Sequence, residues 1–131
     1  MVNNWYFAAQ YARLSEVARL AKEAERIGLT VTSRWLMQDP NITYAGGSDG
    51  KLFAGRDLED IAAADGFLFF AEDPQIGIPR GGRHVEFGLA LALAKVVEVI
   101  GPSENIFHLL PDVVHFASFE DWLAVKIKEV V

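Results

Sequence analysis

Apolar positions along the chain follow two alternating rhythms. Short, nearly continuous apolar runs occur at Trp5–Ala9, Leu29–Ser33, Gly66–Phe70 and Val96–Ile100, with a last short one at Val113–Phe116. Runs of this length and β-branched or aromatic content read as strands, and the run Gly66–Phe70 reads as one buried on both faces. Between the first two runs, Tyr11–Ile27 has helical spacing. Leu14, Val17, Ala18, Ala21, Ala24 and Ile27 share one face; Glu16, Arg19, Lys22, Glu23 and Arg26 share the other. Gly28 ends this helix as a left-handed cap. A short helix is predicted over Asp57–Ala64 and an almost wholly apolar, buried one over Phe87–Ala94. A terminal helix is predicted over Ser118–Val130, with Ser118 and Asp121 spaced as in a capping box. Gln38–Gly55 and Ala71–Gly82 read as long loops, and loops of such length are often functional.

Strands that alternate with helices in this way predict a parallel sheet with helices on both faces. The expected architecture is α/β: a doubly wound, mostly parallel sheet of about five strands, with residues 1–131 forming one domain. Ligands in such sheets bind beyond the carboxyl ends of the strands. That gathers Ala8–Arg13, Ser33–Trp35, Ala71–Gly82 with Glu86, and Gly101–His108 at one edge.

Composition narrows the function classes. The chain has 131 residues, 51% hydrophobic and 23% charged, which is globular rather than disordered composition. A net charge of -6 with scattered Lys and Arg argues against binding a nucleic-acid polymer. The absence of cysteine excludes disulfides and thiol catalysis. No apolar run reaches the ~18 residues of a membrane span. The N-terminus lacks the basic segment and cleavage site of a signal peptide, so a cytoplasmic location is expected.

The chemistry concentrates at Gly81-Gly82-Arg83-His84-Val85-Glu86-Phe87-Gly88. Gly81 and Gly82 permit a tight turn and close approach to a ligand. Neither a dinucleotide fingerprint nor a Walker loop is present. Glu86 is the lone carboxylate at the mouth of the apolar helix, where the helix dipole favours its ionised form. An oriented, partly desolvated carboxylate suits attack at a sugar carbon; complementing the dipole from the surface is the alternative. His84, His108 and His115 lack metal-site spacing, so no metal is expected. Asp65 precedes the central strand and is either a turn residue or a substrate ligand. Arg34 with Trp35, and Tyr6 with Tyr11, are candidates to bracket a flat ring, or else belong to the core.

Together these segments resemble the nucleoside 2-deoxyribosyltransferase family, including its relatives that hydrolyse nucleotide N-glycosidic bonds. The resemblance runs in order through Trp5-Tyr6-Phe7-Ala8-Ala9, Val31-Thr32-Ser33-Arg34-Trp35, Arg56-Asp57-Leu58-Glu59-Asp60-Ile61 with Asp65, the Gly-rich segment with Glu86-Phe87-Gly88, and Gly101-Pro102-Ser103-Glu104-Asn105-Ile106-Phe107. It implies a flavodoxin-like fold and Glu86 as nucleophile, with Tyr6 and Asp65 holding base and sugar. It also implies a homodimer or higher homo-oligomer with shared active sites, to which Asn105 or His108 would contribute across the interface. Arg80 stands where the transferases often carry an acid, six residues before the nucleophile, and a guanidinium there suits a 5′-phosphate. Arg80, Gly81, Gly82, Arg34, Trp35, Asn105 and His108 are thus the expected substrate-binding residues. The implied reaction cleaves the bond between a nucleobase and a (deoxy)ribose through a covalent glycosyl-glutamate, then transfers the sugar to another base, with neither cofactor nor metal. Hydrolysis of nucleoside 5′-monophosphates and catalytically silent nucleotide sensing are the alternatives.

Overall fold

The structure, a computed structural model, describes residues 1–39, 48–73 and 81–130. Five parallel strands form one sheet: β1 (Asn4–Ala8), β2 (Thr30–Val31), β3 (Gly66–Phe70), β4 (Val96–Ile100) and β5 (Val114–Phe116). Their spatial order is β2-β1-β3-β4-β5. This is the flavodoxin-like order, in which the chain reverses direction of growth between β1 and β3. The helices are α1 (Leu14–Arg26), α2 (Ser48–Ala63), α3 (Gly82–Ala92) and α4 (Phe119–Val130). Among the described residues, no helix is long and apolar enough to cross a membrane.

Alternation along the strands sends side chains to two helical layers. Tyr6, Phe67 and Phe69 face α3, where Phe67 and Phe69 meet Phe87 edge-on at 6.1 and 5.5 Å. Trp5 and Phe7 face α4 and meet Trp122 edge-on at 5.2 and 5.7 Å. Trp5 lies opposite Gly66 in the β1–β3 register. A Cβ at Gly66 would stand 2.6 Å from the Trp5 ring, so glycine there lets the indole lie flat on the sheet. Next to this indole, Lys126 of α4 bonds Glu98 of β4 at 2.9 Å, and both side chains are buried. The Trp122 indole N–H also donates to Glu98, at 2.8 Å.

Three elements depart from the sequence expectations. β2 is two residues long rather than running to Ser33. Beyond Val31 the free edge of β1 is satisfied by side chains: Phe7 N–H donates to the Ser33 hydroxyl at 2.7 Å and the Trp35 indole donates to Phe7 C=O at 2.8 Å. α2 starts at Ser48, well inside the expected loop. α3 starts at Gly82 and is buried on one face only, through Arg83, Phe87 and Ala90. Val85 on its outer face is 70% exposed, so the helix is not enclosed on all sides as its apolar composition suggested.

Candidate active site

The site forms at the β1–β3 switch point. Tyr6 projects from the middle of β1 and stacks on Phe67 of β3, ring centroids 5.7 Å apart. Its hydroxyl donates to Oε2 of Glu86 in α3. Gly81 sets up the approach. It caps α3 with φ 87°, a conformation that glycine adopts without strain, and its carbonyl accepts from His84 and Val85 N–H at 3.0 and 3.2 Å. Glu86 then falls in the second turn of α3, past the end of the helix where the dipole acts most strongly.

Burial decides its protonation. It pushes the Glu86 carboxyl up to about 7; the Tyr6 hydrogen bond opposes the rise and the nearby Asp57 adds to it. The ionised carboxyl expected from the helix dipole is therefore replaced by one poised near neutrality. Tyr6, buried and near the three acids Glu86, Asp57 and Asp60, has its own pKa raised well above the usual phenol value, so it stays a proton donor to Glu86.

Asp57, on α2, is the third member, one that sequence reasoning passed over. Burial, then the neighbouring Asp60, pushes it up to about 6, while Arg34 opposes the rise. Its Oδ1 is buried without a hydrogen-bond partner. An unpaired buried carboxylate oxygen is costly and marks a place where a ligand atom would be welcome. Asp60, one turn on, is committed elsewhere. It accepts from Arg34 N–H at 2.9 Å and Arg34 Nε at 2.8 Å, fastening the segment after β2 to α2. Gln10, just past β1, likewise has a buried Nε2 without a partner. The unpaired atoms of Asp57 and Gln10 are visible only once tertiary packing is known.

The other expected site residues separate. Asp65 lies at the amino edge of the sheet, opposite Glu86. It is exposed, donates from its N–H to Asn4 C=O at 3.0 Å and accepts from Val96 N–H at 3.1 Å. It sits in the turn between α2 and β3, whereas Asp57 is the acid whose charge acts on Glu86. Arg34 is bound to Glu59 and Asp60 at 2.8 Å each, and Trp35 is buried with its indole on Phe7, so the pair does not bracket an open ring site. Tyr11 bonds Asp39 C=O at 2.7 Å. His108 is wholly buried in its own subunit, between Phe69 and Phe87 at 4.7 and 4.6 Å. It therefore cannot reach a neighbour. Burial pushes it down to about 4, so it is neutral, with Nδ1 accepting from Glu104 N–H at 3.0 Å. Asn105 remains at the surface; its Oδ1 caps Phe107 N–H at 2.9 Å and its Nδ2 stands 3.2 Å from His84 Nδ1. Gly82 opens α3 beside the site, and Arg80 lies outside the described residues.

By sequence, the chain matches no family model and no curated protein. Solved structures are more informative. A 2-deoxyribosyltransferase from Bacillus psychrosaccharolyticus superposes with a TM-score of 0.70 at 20% identity, over 97% of this chain and 95% of that one. A conserved protein from Enterococcus faecalis V583 gives 0.67 at 18% identity, over the full length of both. The CMP N-glycosidase of Clostridium botulinum gives 0.55 at 18% identity, over 94% of this chain and 97% of the other. The chain has the 2-deoxyribosyltransferase fold. Nearly end-to-end coverage shows that the likeness in fold spans the whole sheet.

Proposed function

We propose that this protein cleaves the N-glycosidic bond of a nucleoside or nucleotide, with Glu86 as nucleophile. The observation that carries the reading is the Tyr6–Glu86 hydrogen bond at the switch point, with Glu86 held near neutrality beside Asp57. Tyr6 engages Oε2, which leaves Oε1 to attack the anomeric carbon. Attack forms the bond from Glu86 to that carbon as the bond to the base breaks. Asp57, pushed up to about 6, gives the departing base its proton through the unpaired Oδ1. Water or a second base, deprotonated by Asp57, then displaces Glu86, so two inversions retain configuration. Transfer to another base is the outcome supported by the likeness to the Bacillus enzyme.

The likeness to the CMP N-glycosidase, together with Arg80 in the segment before Glu86, supports a second reading in which the substrate is a 5′-monophosphate and water is the acceptor. Both readings are tested by incubating the protein with nucleosides and 5′-monophosphates, with and without a second base, and following base release by chromatography. Base release by the native chain, lost in Glu86→Ala, is expected. A mass increase equal to one sugar after exposure to a 2-fluoro-sugar nucleoside would identify the covalent intermediate. No release from any substrate would defeat the proposal.

Assembly belongs to the same reading. Ile106, Phe107 and Leu109 are 74%, 55% and 69% exposed beside Asn105, an apolar surface suited to a second copy that brings Asn105 toward its neighbour's site. Sedimentation as a monomer under assay conditions, with full activity, would contradict it.

A further inference from the structure

The Glu104 carboxylate holds two segments at once. Arg83 donates to it through both terminal nitrogens, Nη1 to Oε2 and Nη2 to Oε1, the latter at 2.7 Å. The backbone N–H of Glu72 donates to the same Oε2 at 3.0 Å. His84 Nε2 stands 3.6 Å from Oε1. The main chain of Glu104 is itself fixed by its N–H bond to His108 at 3.0 Å. Glu72 is further tied to Arg13 at 2.9 Å, just ahead of α1.

The pair is deeply placed: the side chains of Arg83 and Glu104 are 2% and 9% exposed. The guanidinium lies 4.9 Å from the centre of the Phe69 ring. Burial pushes Glu104 up, but the bonds from Arg83 and Glu72 outweigh it and hold the carboxyl below its ordinary value. Buried ion pairs seldom add net stability, because removing both charges from water offsets their attraction. What this pair does provide is location. Glu72 is where the chain leaves β3, and Arg83 is the second residue of α3, one turn ahead of Glu86.

We infer that Glu104 is a positioning residue for Glu86: by tying the exit of β3 to the first turn of α3, it fixes where Glu86 meets Tyr6. This rests on the proposed role of Glu86. Glu104 does not touch the reacting atoms; it acts through Arg83 and the helix. The same link explains why Asn105 and His108 flank it, one capping the turn that follows and the other gripping its backbone.

The test compares the native chain with Glu104→Gln, Glu104→Asp and the double variant Arg83→Met/Glu104→Met, which leaves neither charge unpaired. The first readout is the titration of the Glu86 side chain, followed by carbon-13 NMR of its carboxyl. The groups facing Glu86 are Tyr6 from β1 and Asp57 from α2, with Asp60 and Arg34 behind Asp57; none of these is altered. If α3 loosens, Glu86 gains water and titrates lower by about half a pH unit or more in Glu104→Gln and in the double variant. The second readout is kinetic: kcat falls about tenfold or more while KM changes by less than about threefold, as expected when a reacting group is misplaced but substrate still binds. Glu104→Asp, which keeps the charge on a shorter stem, should fall between. An unmoved Glu86 titration with unchanged kcat in a folded variant would overturn the inference. If Glu104→Gln does not fold, the double variant supplies the answer. Absence of base release by the native chain would defeat the proposed reaction alone, since the NMR titration decides the positioning independently.

Discussion

The hydroxyl of Tyr6 donates to Glu86 across the seam between β1 and α3, so a strand near the start of the chain fixes one oxygen of a carboxylate in a later helix. Asp57 raises the pKa of both partners. The charge on Asp57 is thus linked to the protonation of Glu86, behind the larger effect of burial.

That linkage predicts a bell-shaped dependence of kcat/KM on pH. Glu86 must lose a proton to attack, and Asp57 must keep one to assist the leaving base. With the two carboxyls pushed up to about 7 and about 6, the maximum should fall between these values. Asp57→Asn should remove the alkaline limb, and Glu86→Ala should lower turnover by about three orders of magnitude or more. Retention of both limbs in Asp57→Asn would remove Asp57 from the acid role.

Stability should depend on pH through the same residues. The folded carboxyls hold their protons more tightly than ordinary carboxyls do. Their contribution is thus fully present below the ordinary value of 4.5 for Glu86 and is lost as pH rises through about 7. Glu86→Gln removes that loss. It should melt higher than the native chain at pH 8 and nearly equally at pH 4.5. A displacement of this size is worth at most about 3 kcal/mol, and partial hydration reduces it to about 1–2 kcal/mol. Thermal melts at the two pH values measure the difference; a gain confined to low pH would reverse the sign and refute the argument.

The Glu98–Lys126 pair predicts an asymmetric double-mutant cycle. Lys126→Met leaves Glu98 charged in the core and should cost about 3–5 kcal/mol. Adding Glu98→Gln, whose amide still accepts from the Trp122 indole, should recover most of that loss. Chemical denaturation of the three variants reads the coupling, and strictly additive losses would show that the charges act independently.

Gly66→Ala should be among the most damaging single-methyl additions in the chain. The new Cβ meets the Trp5 ring at 2.6 Å, and that ring is itself pinned by its edge-on contact with Trp122. A loss of about 2–3 kcal/mol is expected from forced repacking. Gly88→Ala, in an exposed helical position with nothing within 4 Å of its Cβ, should instead stabilise by about 0.5–1 kcal/mol. Equal effects at the two sites would argue against the packing explanation.

Much of the framework was legible in the chain. The central strands Gly66–Phe70 and Val96–Ile100 fall at the bounds their apolar runs suggest, the second run broken only by Glu98. The start of α2 was not legible: Gly50 and Gly55 weaken its intrinsic helical tendency, and tertiary packing overrides that tendency. Glu86 and Tyr6 stand out in their own segments, and the fold brings the two into hydrogen-bond contact. Asp65 draws notice because it abuts the central strand. Yet a residue preceding a parallel strand lies at the amino edge, so the rule that located the site also places Asp65 away from it. The Arg34–Asp60 and Arg83–Glu104 pairs join segments distant in sequence, and no local pattern announces them.

The outer strands carry a consequence for growth of the sheet. β2 offers two residues and β5 three, and the backbone of β1 beyond β2 is already occupied by Ser33 and Trp35. Short, blocked margins give an incoming strand little main chain to pair with. Copies of this chain cannot readily zip together rim to rim into extended ribbons. Any contact between copies would fall instead to helix flanks and connecting turns, where it depends on particular side chains.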